Sequence, residues 1–424
     1  MKQLTRSFCT LSVPRAIHRK GIVQYLLSTL LIILLLCTHN LSAQNLLPVK
    51  GRVIDAESGE PLPYATVYFN NSTYGATTDE AGEFQFVALP GKYDLIVNFF
   101  SYQPIIFPME LVADDLKNYV FKMSPLEYDL PEISVESTRD EIWYKNYQTF
   151  KEQFLGTSTA AASCEILNPE VVILDYNPQT KIMTVRARDI LQIRNKALGY
   201  DIQYLLERFE YDIGKGYVYF QGYPLFEELE GSKGKQKKWA KARAKSYNGS
   251  VTHFMKSVID GNVAEEGFEV TEIIKKRNVN RPSAEEVADA RARMRTAGIN
   301  GITINSSSPD IQVIRRSNEP EFIRYSNNQP YPTDSLIVMK EGKHQLYFPN
   351  LLRVRYTKEA SEPAFLRYSK PRSFQESTLS LTGKATEVMS NGILVDPLSV
   401  LFEGYMGWEK MGNMLPVDYL PTNQ

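Results

Sequence analysis

Cysteine and histidine are the scarcest chemistry-bearing residues in this 424-residue chain, at 3 and 4. Cys9 and Cys37 both fall within residues 1–43, so past that point only Cys164 remains, together with His253 and His344. A single cysteine excludes an internal disulfide even in an oxidising compartment. Set beside Ala161, Ala162 and Ser163, it reads as a small core residue and not as a reactive thiol. The sequence also lacks a phosphate-binding glycine loop, a paired-cysteine metal site and a calcium loop. Strong charge of either sign is missing too: the formal net charge is −1.

What is present is the composition of a folded protein, with 43% hydrophobic residues and 25 Tyr and 20 Phe to fill cores, so disorder is expected only at joins. The length exceeds what one core usually serves and implies two domains or more. Residues 1–43 stand apart. Arg15, Arg19 and Lys20 precede an apolar run over residues 22–37, and Leu41-Ser42-Ala43 follows before Gln44. These are the parts of a secretory signal peptide, and its rival is an uncleaved anchor, because the run falls just short of a bilayer span. Residues 1–43 hold Lys2, Arg6, Arg15, Arg19, Lys20 and no acid, so their removal moves the formal charge from −1 to −6. A mildly acidic mature surface argues against nucleic acid as a partner.

From Val49 the chain alternates short apolar-polar runs with turns: VKGRVID, YATVYFN, TYGATTD, EFQFVAL, KYDLIVNF and NYVFKM. Period-two alternation with a turn every eight to twelve residues predicts an all-β sandwich. Gly59, Pro61 and Pro63 break the first two runs, and Asp79-Glu80-Ala81-Gly82 supplies another turn. Three stretches carry a family likeness: Gly51-Arg52-Val53-Ile54-Asp55, Ser58-Gly59-Glu60-Pro61-Leu62-Pro63-Tyr64-Ala65-Thr66-Val67, and Thr77-Thr78-Asp79-Glu80-Ala81-Gly82-Glu83-Phe84. Together they resemble the carboxypeptidase regulatory-like (transthyretin-like) domain over about residues 47–124. The resemblance implies a seven-stranded transthyretin-like β-sandwich that folds or docks and does not catalyse. Similar copies follow the signal peptide in Gram-negative envelope proteins, TonB-dependent receptors among them. Tyr64 departs from the pattern, since relatives often carry Gly there.

Residues 125–137 read as a linker, and 138–424 as a larger α+β region of one or two subdomains. Thr138 and Glu141 have capping-box spacing ahead of a helix whose Trp143, Tyr147, Phe150 and Phe154 share one face, a core stripe. Strands are expected over residues 171–176, 181–187 and 199–204, with a hairpin of 208–213 and 217–221. Ser250 caps a helix ending at Gly261, Ser283 with Glu286 caps another, and Asn391-Gly392 marks a late hairpin turn. Residues 150–260 and 390–420 also resemble uncharacterised C-terminal regions that accompany the regulatory-like domain. The likeness rests on Phe154-Leu155-Gly156-Thr157, Leu198-Gly199-Tyr200, Gly222-Tyr223-Pro224-Leu225-Phe226, Asn248-Gly249-Ser250 with His253-Phe254, and Gly407-Trp408-Glu409-Lys410-Met411. It implies no activity.

A zinc carboxypeptidase needs two histidines and a glutamate in a His-x-x-Glu frame, whereas the chain reads His253-Phe254-Met255-Lys256 and His344-Gln345-Leu346-Tyr347. Residues 156–160 fall one residue short of a nucleophile elbow and read as a small-residue turn. No metal or cofactor is therefore expected, and no catalytic residue is assigned. The most unusual local feature is basic: Lys233, Lys235, Lys237, Lys238, Lys241, Arg243 and Lys245, with Trp239 among them and no acid over residues 232–246. Lys235, Lys238, Trp239, Lys241 and Lys245 are the candidate contacts for an anionic surface or a partner, with Trp239 at the interface. The preferred reading is a solvated helix whose charge Glu227, Glu228 and Glu230 offset. Phe402, Tyr405, Met406, Trp408 and Met411 read as core before partner surface.

The expectation is a non-enzymatic exported protein of the periplasm or outer membrane, mainly β with an α+β second part, whose partner is an envelope protein, glycan or peptide. The alternative is a hydrolase with an unrecognised site in residues 138–424.

Overall fold

The computed structural model describes residues 46–113, 117–126, 139–299, 306–367 and 372–421. The expected leader and nearly all of the expected linker lie outside these residues. Among them, no helix is long and apolar enough to cross a membrane.

Seven strands form the first part: β1 (Leu47–Asp55), β2 (Thr66–Phe69), β3 (Gly75–Thr77), β4 (Glu83–Ala88), β5 (Gly91–Asn98), β6 (Ile105–Leu111) and β7 (Asn118–Met123). They make two sheets, β4-β1-β7 and β3-β2-β5-β6. Every pairing is antiparallel except β1 with β7. Alternation dictates which face goes inward: in β1, Val49, Gly51 and Val53 are buried while Lys50 and Arg52 face solvent. Phe84, Phe86 and Phe121 from one sheet meet Val67, Phe69, Leu95 and Val97 from the other. Gly51 is required by close approach, since a Cβ there would lie 2.3 Å from the Tyr119 carbonyl oxygen. Strand β6 carries Pro108 within it, and this fits because β6 is an edge strand that pairs only with β5.

Tyr64 explains its own departure from the family pattern. Its φ is +65°, in the left-handed region where a Cβ is penalised, and its side chain is exposed. Replacing it with glycine relieves about 1–2 kcal/mol of strain, against a smaller entropic loss. Tyr64→Gly is therefore expected to raise stability by about 1 kcal/mol, read as a higher denaturant midpoint with unchanged slope.

The second part has two cores. In the first, α1 (Glu141–Phe154) packs on a six-stranded sheet of β8 (Cys164–Ile166), β9 (Val172–Asn177), β10 (Ile182–Ala187), β11 (Leu191–Asn195), β12 (Tyr200–Asp212) and β13 (Tyr217–Glu228). Tyr147, Phe150 and Phe154 of the helix meet Met183, Ile193, Tyr204 and Phe209 of the sheet. The helix is capped by Asp140, whose carboxylate accepts from the Trp143 amide at 2.8 Å, while the expected cap residue, Thr138, lies outside the described residues.

Next come α2 (Lys233–Tyr247), α3 (Val251–Asp260), β14 (Phe268–Arg277), α4 (Ala284–Ile299), α5 (Pro309–Arg316), β15 (Phe322–Pro330), β16 (Ile337–Lys340), β17 (Lys343–Leu346), β18 (Leu351–Tyr356), β19 (Gln375–Leu381), β20 (Thr386–Val388), β21 (Val400–Gly404) and the short α6 (Tyr405–Trp408). The strands form a five-stranded sheet, β15-β14-β18-β19-β21, and a three-stranded one, β16-β17-β20. Helix α3 has the expected ends: Ser250 accepts from the His253 amide, and Gly261 closes it at φ +71°. It buries Phe254, Met255 and Val258 against Phe268, Leu352 and Val354 as the second core. Ser283 and Glu286 exchange side-chain-to-backbone bonds as a capping box ahead of α4.

The sandwich is fastened to this region, not tethered beside it. Tyr68 is fully buried with Ile96 and Leu225, and its hydroxyl donates to the Tyr223 carbonyl at 2.8 Å. The Asn71 amide donates to the Pro224 carbonyl, and the Phe226 amide donates to that of Ser72. The chain end then returns to the same loop: the Val417 amide donates to the Asn71 carbonyl, and Asp418 accepts from the Thr73 amide. Tyr405, Met406 and Met411 are buried, as the core reading of that stretch expects.

Candidate functional site

A cavity of about 270 Å³ lies where the three parts meet, between Asn71 of the sandwich, Phe220 of β13, Tyr247 of α2, the start of α3, the Asn391 turn and the chain end from Glu409 to Tyr419. Glu409 and Lys410 give it its chemistry. Burial, with Glu362 and Glu359 nearby, pushes the Glu409 carboxyl up to about 8, and Lys245 only partly offsets this. Burial pushes the Lys410 amine down to about 8, and its Nζ donates to the Gly407 carbonyl at 2.7 Å. Burial thus favours the protonated form of Glu409 and the neutral form of Lys410 on that wall. The buried Oδ1 of Asn71 has no hydrogen-bond partner among the described residues.

Behind that wall Glu362 acts as a clamp. Its Oε2 accepts from the Thr159 amide and hydroxyl, both at 2.9 Å, and Oε1 meets Lys245 at 2.9 Å. Burial raises its pKa, but these donors outweigh burial and leave it below the ordinary value.

The residues searched for nucleophilic chemistry are held apart. Ser158 is buried and donates to Asn413 Oδ1 at 2.5 Å. His253 accepts the Gly249 amide on Nδ1 at 3.0 Å, so Nε2 is the protonated nitrogen facing Glu266 at 3.2 Å. His344 lies on β17 beside a second cavity of about 220 Å³, where Glu387 bridges Lys92 and Lys343. Burial raises the Cys164 thiol to about 12, which leaves it a poor nucleophile. Among the described residues, no three His, Cys, Asp or Glu side chains gather into a metal site.

The basic run is helix α2, and the structure divides its candidates. Lys235, Lys238 and Lys241 are exposed and form no ion pair among the described residues; neither do Lys233 and Lys237. Lys245 is exposed and reaches Glu362. Trp239 is a correction: it does not face outward. The indole is 8% exposed, and its Nε1–H donates to the Lys196 carbonyl at 3.1 Å. It packs where a Cβ on Gly199 would stand 2.3 Å from the ring. The expected charge offset holds in part: Glu228 pairs with Arg243 of the same helix at 2.6 Å, whereas Glu227 accepts from Gln203.

Sequence reasoning did not find the cavity. Its one signal was the Gly407-Trp408-Glu409-Lys410-Met411 run, set apart there as a motif without a role.

A search of curated proteins finds no match. Among solved structures, a crystal structure from Bacteroides fragilis, described as a membrane-associated protein of unknown function, aligns at 10% identity, 85% of this chain and 93% of that one, with a TM-score of 0.16. Residues 49–135 match the family model described as CarboxypepD_reg-like domain. The sandwich that opens the described chain is therefore a carboxypeptidase regulatory-like domain, joined to a larger α+β region.

Proposed function

We propose that this is an exported, non-enzymatic cell-envelope protein in which the regulatory-like sandwich is the folding and docking platform for the α+β region. The observation that carries the reading is the loop over residues 70–74. It takes backbone bonds from β13 on one side and from the chain end on the other, so the sandwich completes the body it precedes. A module used as a detachable binding head would keep that loop free. The segment over residues 1–43, with its basic head and apolar run, supports export.

Cell fractionation tests the proposal, followed by N-terminal sequencing of the recovered protein. The mature chain is expected in the periplasmic or outer-membrane fraction, beginning at Gln44. Recovery of the full chain from the cytoplasm alone would rule the reading out.

A further inference from the structure

We infer that the outward face of α2 is a docking surface for an anionic membrane, read through the phosphate headgroups of its lipids. Lys233, Lys237, Lys241 and Lys245 are spaced four apart and form one row along a helix of 15 residues, with Lys238 beside it. The row runs for about 20 Å. Lys233, Lys235, Lys237, Lys238 and Lys241 meet no carboxylate among the described residues, while Glu228 and Glu227 just upstream bond Arg243 and Gln203.

Local structure makes this arrangement costly. Like charges at that spacing repel, and a helix start favours acids, yet the first turn has none and Ser232 makes no side-chain cap. The helix stands because Trp239, Ser246 and Ala242 anchor its other face. Folding therefore accounts for Trp239 and leaves the lysine row unexplained. A partner bearing dense negative charge explains it.

A membrane surface fits that partner best. The lysines of the row are all exposed along the helix, a line of positive charge that matches a charged surface. Trp239 is turned inward, which confines contact to the headgroup level. The formal charge of −6 past residue 43 disfavours a polyanion wrapped around the whole body, whereas a planar surface touches only this face. Each lysine at an anionic lipid surface is worth roughly fivefold in affinity.

The inference depends on the envelope reading only for where such a surface is met. It is tested by sedimenting the leader-free chain with vesicles of phosphatidylcholine and phosphatidylglycerol, and with vesicles of phosphatidylcholine alone. Binding is expected to the mixed vesicles only, and to disappear at about 0.5 M salt. The double variant Lys233→Glu/Lys241→Glu converts three repelling pairs into attracting ones. It should melt no lower than the parent, roughly 1–2 °C higher, and bind at least about 25-fold more weakly. Equal binding to both vesicle types, or full binding by the stable double variant, would overturn the inference. So would retention on an immobilised acidic protein without vesicle binding. Any of these can occur in a chain that fractionates with the envelope, so the two readings fail separately.

Discussion

A chain ended at Lys410 is expected to lose its cooperative unfolding transition, although it lacks only the last few per cent of the sequence. Met411 is fully buried in the first α+β core, among Leu155, Ile166 and Leu191. Truncating such a side chain costs about 2–5 kcal/mol. The Gly412 amide donates to the Leu155 carbonyl, and its carbonyl accepts from Asn195 Nδ2 at 3.0 Å. Asn413 accepts from the buried Ser158. Losing these partners strands buried polar groups at about 1–3 kcal/mol each. Past them, the Val417 and Asp418 bonds to the sandwich loop go too. Together these exceed roughly 6 kcal/mol, comparable to the whole stability of many folded chains. Circular dichroism and denaturant titration of the truncated chain check this, with Met411→Ala as a milder companion that should stay folded at a lower midpoint. A truncated chain that unfolds with the parent's midpoint would make the chain end peripheral.

This dependence also shows which parts of the fold were legible. The sandwich was readable because its signals are local: alternation within a strand and turn residues between strands. Strand β6 is not among the runs named from alternation; it carries Pro108, which its edge placement accommodates. Strand β12 was read as two runs, and the register shift between Leu206 and Arg208 is where they join, since a bulge interrupts the alternation. The aromatic stripe of α1 and the caps of α3 were plain from spacing.

The candidate site was not legible. Asn71, Phe220, Tyr247, Asn391 and Glu409 come from five separate stretches of the chain and meet only through tertiary packing. Trp239 misled for a related reason: lysines dominate its run, and the partly buried Ala242 and buried Ser246 on its side of the helix are small.

Stability is expected to pass through a minimum near pH 8, with each limb set by one of the two cavity residues. Glu409 has its pKa raised from 4.5 to about 8, so the fold favours the protonated form. Its stabilising effect is complete below the unfolded value of 4.5 and is lost as pH rises through 8, because there the folded state binds more protons than the unfolded one. Lys410 is lowered from 10.5 to about 8, so its neutral form is favoured. Its contribution is present above 10.5 and is lost as pH falls through 8. The Glu409 limb would amount to about 5 kcal/mol in full enclosure. Glu409 as a whole residue is only partly buried, which brings the expected loss to about 3 kcal/mol. Denaturant midpoints measured from pH 5 to above pH 10 should trace the dip. Glu409→Gln should flatten the falling limb alone, and Lys410→Met the rising limb alone. If the curve is unchanged by Glu409→Gln, the fold does not hold the carboxyl toward its protonated form.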